Sequence, residues 1–114
     1  MKDNCIFCKI IAGEIPSSKV YEDEKMLVFR DIEPKAKVHL LAVPKVHFAC
    51  LSELDEGKSA ILSYIFNKIP QIAKENGCEG GYRLIINQGE DGGQTVHHLH
   101  IHILGGEKLP VDIL

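Results

Sequence analysis

Residues 97–104 read His97-His98-Leu99-His100-Ile101-His102-Ile103-Leu104. From His98 onward polar and apolar residues alternate strictly, with branched Leu99, Ile101 and Ile103 as the apolar members. That pattern predicts an extended, half-buried strand. A side-chain period of two sends His98, His100 and His102 out of one sheet face, in a row roughly 13 Å long at about 3.3 Å per residue. On a helix the rings would fan apart. Neighbours at i and i+2 can share a metal, but three rings in a row cannot easily do so, and the row therefore divides into different tasks. A core strand with three imidazoles must satisfy six ring nitrogens, and a surface strand needs no histidine at all.

The stretch just upstream, Asn87-Gln88-Gly89-Glu90-Asp91-Gly92-Gly93-Gln94-Thr95-Val96, delivers the chain into that row. Gly89, Gly92 and Gly93 allow close approach of backbone to a ligand and can turn amides towards an anion, although a glycine-rich hairpin loop alone is an ordinary loop. Gln94 and Thr95 add neutral hydrogen-bonding groups at its mouth, while Glu90 and Asp91 would repel phosphate and are expected to face solvent. Neutral imidazole is a competent nucleophile towards phosphorus, and neighbouring rings can hold phosphate oxygens or pass a proton. Covalent phosphoryl or nucleotidyl transfer is therefore reasonable chemistry here. Ser17, Ser18, Ser52, Ser59 and Ser63 lie outside any Gly-x-Ser-x-Gly elbow, and there is neither a Walker loop nor a Gly-x-Gly-x-x-Gly.

The rest of the chain predicts a scaffold. Its 114 residues make one domain, 1–114, with enough surface to bury a core of its own. A formal charge of −3 argues against general binding to nucleic acid or an acidic membrane. No apolar run approaches the roughly 20 residues of a membrane span, and the N-terminus lacks a signal peptide's features, so a cytoplasmic location is expected. In that compartment four cysteines are thiols or metal ligands. Asp3 or Asn4 can cap a short helix over Cys5 to Ala12, stopped by Gly13. Cys5-x-x-Cys8 reads as half a zinc site, a redox pair or two buried thiols. Lys19 to Glu22 and Lys25 to Arg30 form a hairpin through Asp23-Glu24, and Val38 to Val43 is a third strand closed by Pro44. His39 sits in that apolar run, and His47 follows its end. One long helix runs from about Asp55 to Asn76, with an apolar stripe of Ile61, Leu62, Ile65, Ile69, Ile72 and Ala73. Pro70 predicts a kink or break near Phe66 to Ile69. Tyr82 to Asn87 is a fourth strand. One helix set among successive strands argues for a mainly antiparallel α+β sheet.

His98 to Leu104 resembles the histidine triad signature, His-x-His-x-His followed by apolar residues. Cys5 to Ile11, Phe29-Arg30-Asp31-Ile32, Pro44-Lys45-Val46-His47 and Asn87 to Val96 resemble its Hint branch in order and spacing, so that the likeness spans nearly the whole chain. The resemblance implies a five-stranded antiparallel α+β domain with one long and one short N-terminal helix, dimerised through the long helix and a neighbouring strand. It implies a purine nucleoside phosphoramidase, which hydrolyses or transfers at the α-phosphate of AMP-type nucleotides through a nucleotidylated histidine. His100 matches the nucleophile, His102 the α-phosphate contact and His39 a supporting histidine. Thr95 or Gln94 would meet the phosphate or leaving group, with Asn87, Gly93 and Val96 on the same side. Asp31 matches the residue that takes the ribose hydroxyls. Ile6, Phe7, Ile10, Ile15, Phe29, Ile32 and Leu41 match the apolar base slot.

In related triad proteins a Cys-x-x-Cys pair joins an upstream histidine and the first triad histidine on zinc. Here those positions are Cys5, Cys8, His47 and His98, which implies a closed structural zinc centre and no catalytic metal. The tail from Leu109 lacks the tryptophan-bearing end of some Hint proteins, which bears on leaving-group preference. Alternatives are diadenosine polyphosphate hydrolysis, a zinc hydrolase with metal on neighbouring strand histidines, and a non-catalytic purine nucleotide-binding module.

Overall fold

The two most apolar stretches, Met26 to Phe29 and Val38 to Val43, need cover on both faces, as do strands in the middle of a sheet. The computed structural model, which describes Lys2 and residues 4–112, places them there. Its strands are β1 (Lys19–Glu22), β2 (Met26–Arg30), β3 (Val38–Pro44), β4 (Tyr82–Ile85) and β5 (Ile101–Gly105), and its helices are α1 (Ile6–Ile11) and α2 (Glu56–Glu75). The five strands form one antiparallel sheet in the order β1-β2-β3-β5-β4.

Alternation along the strands sorts the core into two layers. Met26, Val28, Leu40, Ala42, Ile101 and Ile103 pack with Leu62, Ile65, Ile69, Ile72 and Ala73 of α2. Leu27, Phe29, Leu41 and Val43 point the other way and meet Phe7, Cys8 and Ile10 of α1. Leu41 stands opposite His102 across the β3–β5 ladder, so His102 and His39 share the α1 face.

Asp55 caps α2 by accepting from the Lys58 amide at 2.8 Å, and the left-handed Gly77, with φ 93°, ends it. The expected break near Phe66 to Ile69 does not occur. The helix runs unbroken through Pro70, which is exposed, and the carbonyl it leaves without a donor belongs to exposed Phe66, where water can serve it. At α1 the cap is Cys5, whose sulfur accepts from the Cys8 amide at 3.3 Å, rather than Asn4; the alternative cap Asp3 lies outside the described residues.

Two strands are shorter than their sequence pattern. β4 stops at Ile85 instead of Asn87, and β5 starts at Ile101 instead of His98. Continuing the β3–β5 register two residues would set Leu99 against Pro44, which has no N–H to offer. The Leu99 amide donates to the Phe48 carbonyl at 2.8 Å instead. His98 and His100 therefore stand on a bent segment leading into the strand, and of the three rings only His102 projects from the sheet itself.

Asp23 ties the first hairpin to α2. Its carboxylate accepts from the Lys25 and Met26 amides at 2.8 and 3.0 Å, from Tyr21 at 2.8 Å and from Tyr64 of α2 at 2.6 Å. Burial opposes its charge, but those donors, Tyr64 foremost, hold its pKa down at about 2. A depressed carboxylate contributes stability above its unfolded pKa, near 3.9, and loses that contribution as pH falls towards 2. Tyr64→Phe should cost about 1–2 kcal/mol at pH 7, and the difference from wild type should shrink between about pH 4 and pH 2. Urea unfolding of both proteins across that range checks it; a pH-independent difference would place the Tyr64 contribution in packing instead.

Candidate functional site

The triad rings are neutral, hydrogen-bonded groups near neutral pH. Burial lowers the pKa of His100 and His39, and burial reinforced by neighbouring His100 and His39 takes His102 down to about 4. The Nδ1 of His100 lies 2.8 Å from the His98 carbonyl oxygen. A carbonyl only accepts, so Nδ1 carries the proton and Nε2 is left with a bare lone pair. The rings of His100 and His102 are 5.0 Å apart between centroids, and Phe7 stands edge-on to His100 at 5.1 Å. Behind them, His39 Nε2 lies 2.9 Å from His102 Nδ1 and 3.4 Å from Asp31 Oδ2. Since His39 is neutral, the contact with Asp31 is an N–H directed at a carboxylate and not a full ion pair.

His98, the first histidine of the row, is turned away from the other two. Its Nε2 donates to the Pro44 carbonyl at 2.8 Å, so its bare Nδ1 faces Cys5 at 3.4 Å, Cys8 at 3.6 Å and His47 Nδ1 at 3.1 Å. His47 Nδ1 lies 3.4 Å from Cys8. A tetrahedron with metal–sulfur bonds of about 2.3 Å and metal–nitrogen bonds of about 2.05 Å has edges of about 3.4 to 3.8 Å, close to this spacing. The four donors thus fit one zinc-sized ion, with His98 oriented by a backbone acceptor as ligating histidines commonly are. Burial pushes the Cys8 thiol pKa up, so a bound cation would have to displace its proton.

The glycine loop behaves differently from the expected amide cradle. Gly89 and Gly93 adopt left-handed φ of 73° and 77°, and a Cβ on Gly92 would collide with the Gln88 carbonyl. Three amides turn inward: Gly93 N–H donates to Glu90 O, Gln94 N–H to Gly89 O and Gly89 N–H to Gln94 Oε1, each at 3.0 Å. Gln94 is buried, and its side-chain nitrogen donates to Ala49 O at 2.7 Å and Val96 O at 3.1 Å. Gln94 therefore staples the loop and has no hydrogen left for a phosphate, in contrast to its expected place at the mouth. Thr95 is exposed, Val96 packs against the α1-side core, and half-buried Asn87 follows β4.

Among the expected base-slot residues, Phe7, Ile10, Phe29 and Leu41 are buried together with Ile15 packed against them, whereas Ile6 is 47% and Ile32 92% exposed. The buried set can form a wall but not a contact surface, which leaves Ile32 as the open apolar group beside Asp31. Two clefts, of about 570 and 560 Å³, lie by Thr95, His97 and Ile6 and by Gly81, Arg83 and Lys108. Neither includes His100 or His102. Sequence reasoning missed two groups that hold the rings, the carbonyl of Pro44 and the amide of Lys35, because backbone atoms carry no residue-type signal.

The family model described as "Scavenger mRNA decapping enzyme C-term binding" matches residues 4–110. Protein HitA of Neisseria gonorrhoeae is 52% identical over 103 residues, covering 90% of this chain and 96% of its own. A "14 kDa zinc-binding protein" of Zea mays is 48% identical over 106 residues, covering 91% and 83%. A HIT family hydrolase from Clostridium thermocellum superposes with a TM-score of 0.95 at 46% identity over 100% of both chains. A histidine triad protein from Clostridium difficile superposes with a TM-score of 0.92 at 51% identity over 96% of each. With sequence and backbone alike over nearly the full length, the chain belongs to the histidine triad (HIT) family.

Proposed function

We propose that the chain is a nucleotidyl hydrolase or transferase acting at the α-phosphate of purine nucleotides, with adenosine 5′-phosphoramidates as its substrate class. The observation that carries this reading is the bare Nε2 of His100, left free by the 2.8 Å bond from its Nδ1 to the His98 carbonyl. Nε2 attacks phosphorus, the phosphorus–nitrogen bond to the leaving amine breaks, and the amine departs with a proton from solvent or a site donor. Water then attacks the nucleotidyl-histidine, whose imidazole is a good leaving group, and AMP is released. His102 hydrogen-bonds the phosphate through its outward nitrogen, His39 supports it, and Asp31 takes the ribose hydroxyls. Thr95, Asn87 and the Gly93 backbone line the phosphate side, with Ile32 over the base and Phe7, Phe29 and Val96 behind it. Incubated with adenosine 5′-phosphoramidate and quenched, the protein should show one adenylyl group by intact mass and release AMP on standing. His100→Ala should form no adduct and lose roughly 10³-fold or more in turnover. Tight AMP binding with neither adduct nor turnover would favour a binding module instead.

Cys5, Cys8, His47 and His98 would hold a structural zinc ion, which would staple α1 to the segment that carries His100. The site is closed, with four protein donors and no position for water, so it supplies folding energy and not catalysis. Purified protein should contain about one zinc per chain. Cys8→Ser should lose most of the metal and melt well below wild type; full stability without metal would refute the assignment.

The chain is further assigned as a cytoplasmic homodimer. Exposed Phe66 on α2, and Tyr82 and Leu84, which share the α2 face of edge strand β4, are apolar groups that a second copy would cover. Sedimentation should give the mass of two chains; a monomer at micromolar concentration would contradict this.

A further inference from the structure

His39 is held at both ring nitrogens. The Lys35 backbone N–H reaches its Nδ1 at 3.0 Å, and His102 Nδ1 lies 2.9 Å from its Nε2. A backbone amide can only donate, so Nδ1 of His39 is the accepting, bare nitrogen, and in the neutral ring the proton sits on Nε2. That N–H donates to His102 Nδ1, with Asp31 Oδ2 as a second, longer acceptor at 3.4 Å. The nitrogen of His102 that accepts cannot carry the proton, so in His102 too the proton sits on Nε2. One rigid amide orders two rings in series.

The same three side chains have the composition of a metal site. Asp31, His39 and His102 bring one ligand atom each to within 4.8 Å of one another, as Cys5, Cys8, His47 and His98 do. A histidine ligates only through a nitrogen without a proton. For His39 to offer Nε2, its proton would have to move to Nδ1 and confront the Lys35 N–H, leaving the buried ring N–H without an acceptor. His98 is the opposite case, because a backbone acceptor, the Pro44 carbonyl, draws its proton to Nε2 and bares Nδ1 towards the thiols.

We infer that the Lys35 amide is a positioning group: it sets the tautomers of His39 and His102, makes His102 an Nε2 donor, and closes the Asp31–His39–His102 cluster to divalent metal. The part that gives the His102 donor a phosphate oxygen to serve rests on the function proposed above, whereas the tautomers and the metal exclusion do not depend on turnover. Lys35 is exposed and its ammonium acts on His39 only as a nearby charge that disfavours protonation, so the hydrogen bond that orders the ring belongs to the backbone N–H.

Long-range ¹H–¹⁵N spectra of the zinc-loaded protein with labelled histidine report which nitrogen of each ring is protonated. Wild type and Lys35→Ala, which keeps the amide, should both show His39 and His102 protonated at Nε2, and should take up one zinc per chain when titrated with excess zinc and read by native mass. Lys35→Pro, which removes the amide, should lose the Nε2–H signature at His39 and accept a second zinc. A wild-type His39 protonated at Nδ1, a second zinc in wild type, or a folded Lys35→Pro that keeps both wild-type tautomers and a single zinc would each overturn the inference. The wild-type spectra and stoichiometry decide the matter even if Lys35→Pro does not fold. Missing adenylyl adduct with these tautomers in place would count against nucleotidyl transfer and leave the positioning role standing.

Discussion

The site depends on a pair of hydrogen bonds made by one residue. His98 donates from its ring to the Pro44 carbonyl and accepts at its own carbonyl from the ring of His100, both at 2.8 Å. The first bond turns its bare nitrogen towards two thiols and His47; the second bares the outward nitrogen of His100. Because the two bonds leave from the same residue, the Cys5–Cys8–His47–His98 cluster and the His100 ring are joined through that one residue. Movement of α1, which carries Cys8 and is capped by Cys5, would reach His100 through a single residue. Rings held by backbone partners lose little when a ligand arrives, since their orientation is already set.

Pro44 is the reason this peptide is free to do so. A residue with an amide there could pair with the Leu99 carbonyl and carry the β3–β5 ladder two residues further. Ending β3 on proline removes that donor, and with the Leu99 amide bonded to Phe48 the Pro44 carbonyl is free to accept from the His98 ring. The division of the row into separate tasks is thus produced by where a strand stops. Gly92 and the Gln94 staple do the equivalent upstream, fixing the loop that feeds the chain into His97 with hydrogen bonds internal to it.

Side-chain pattern carried most of the fold. Apolar spacing in α2, its Asp55 cap and the breaks at Asp31 and Gly77 are all properties of residue type, and the elements stand where that pattern puts them. The two shortened strands and the unbroken helix at Pro70 turn on facts a single segment does not contain: which residue a neighbouring strand offers, and whether a freed carbonyl faces solvent. The candidate site divides along the same line. Residue type pointed to the row His98, His100 and His102 and to the Cys5–Cys8 pair, the family resemblance added His39, Asp31 and the Cys2His2 set, and the structure brings these residues into two adjacent clusters. Gln94 was read as a ligand-facing amide because the sequence cannot show that its hydrogens are consumed by Ala49 and Val96. The Asp23–Tyr64 bond joins residues 41 apart and has no local signature.

Burying three imidazoles and half-burying a fourth also shapes what this site can do. His39, His98 and His100 are buried, and His102 is held at about pKa 4 first by burial and then by its histidine neighbours. These rings offer dipoles and donors at neutral pH but no full positive charge, and the chain as a whole carries −3. Donors without charge can stabilise a phosphate that carries one negative charge, yet they repay poorly the desolvation of a group that carries several. Phosphoramidate esters of AMP carry one charge on the reacting phosphorus, whereas a polyphosphate chain brings several more to the same place. Within the proposed chemistry, the electrostatics of the site therefore favour a phosphorus–nitrogen bond over a phosphoanhydride as the bond that breaks.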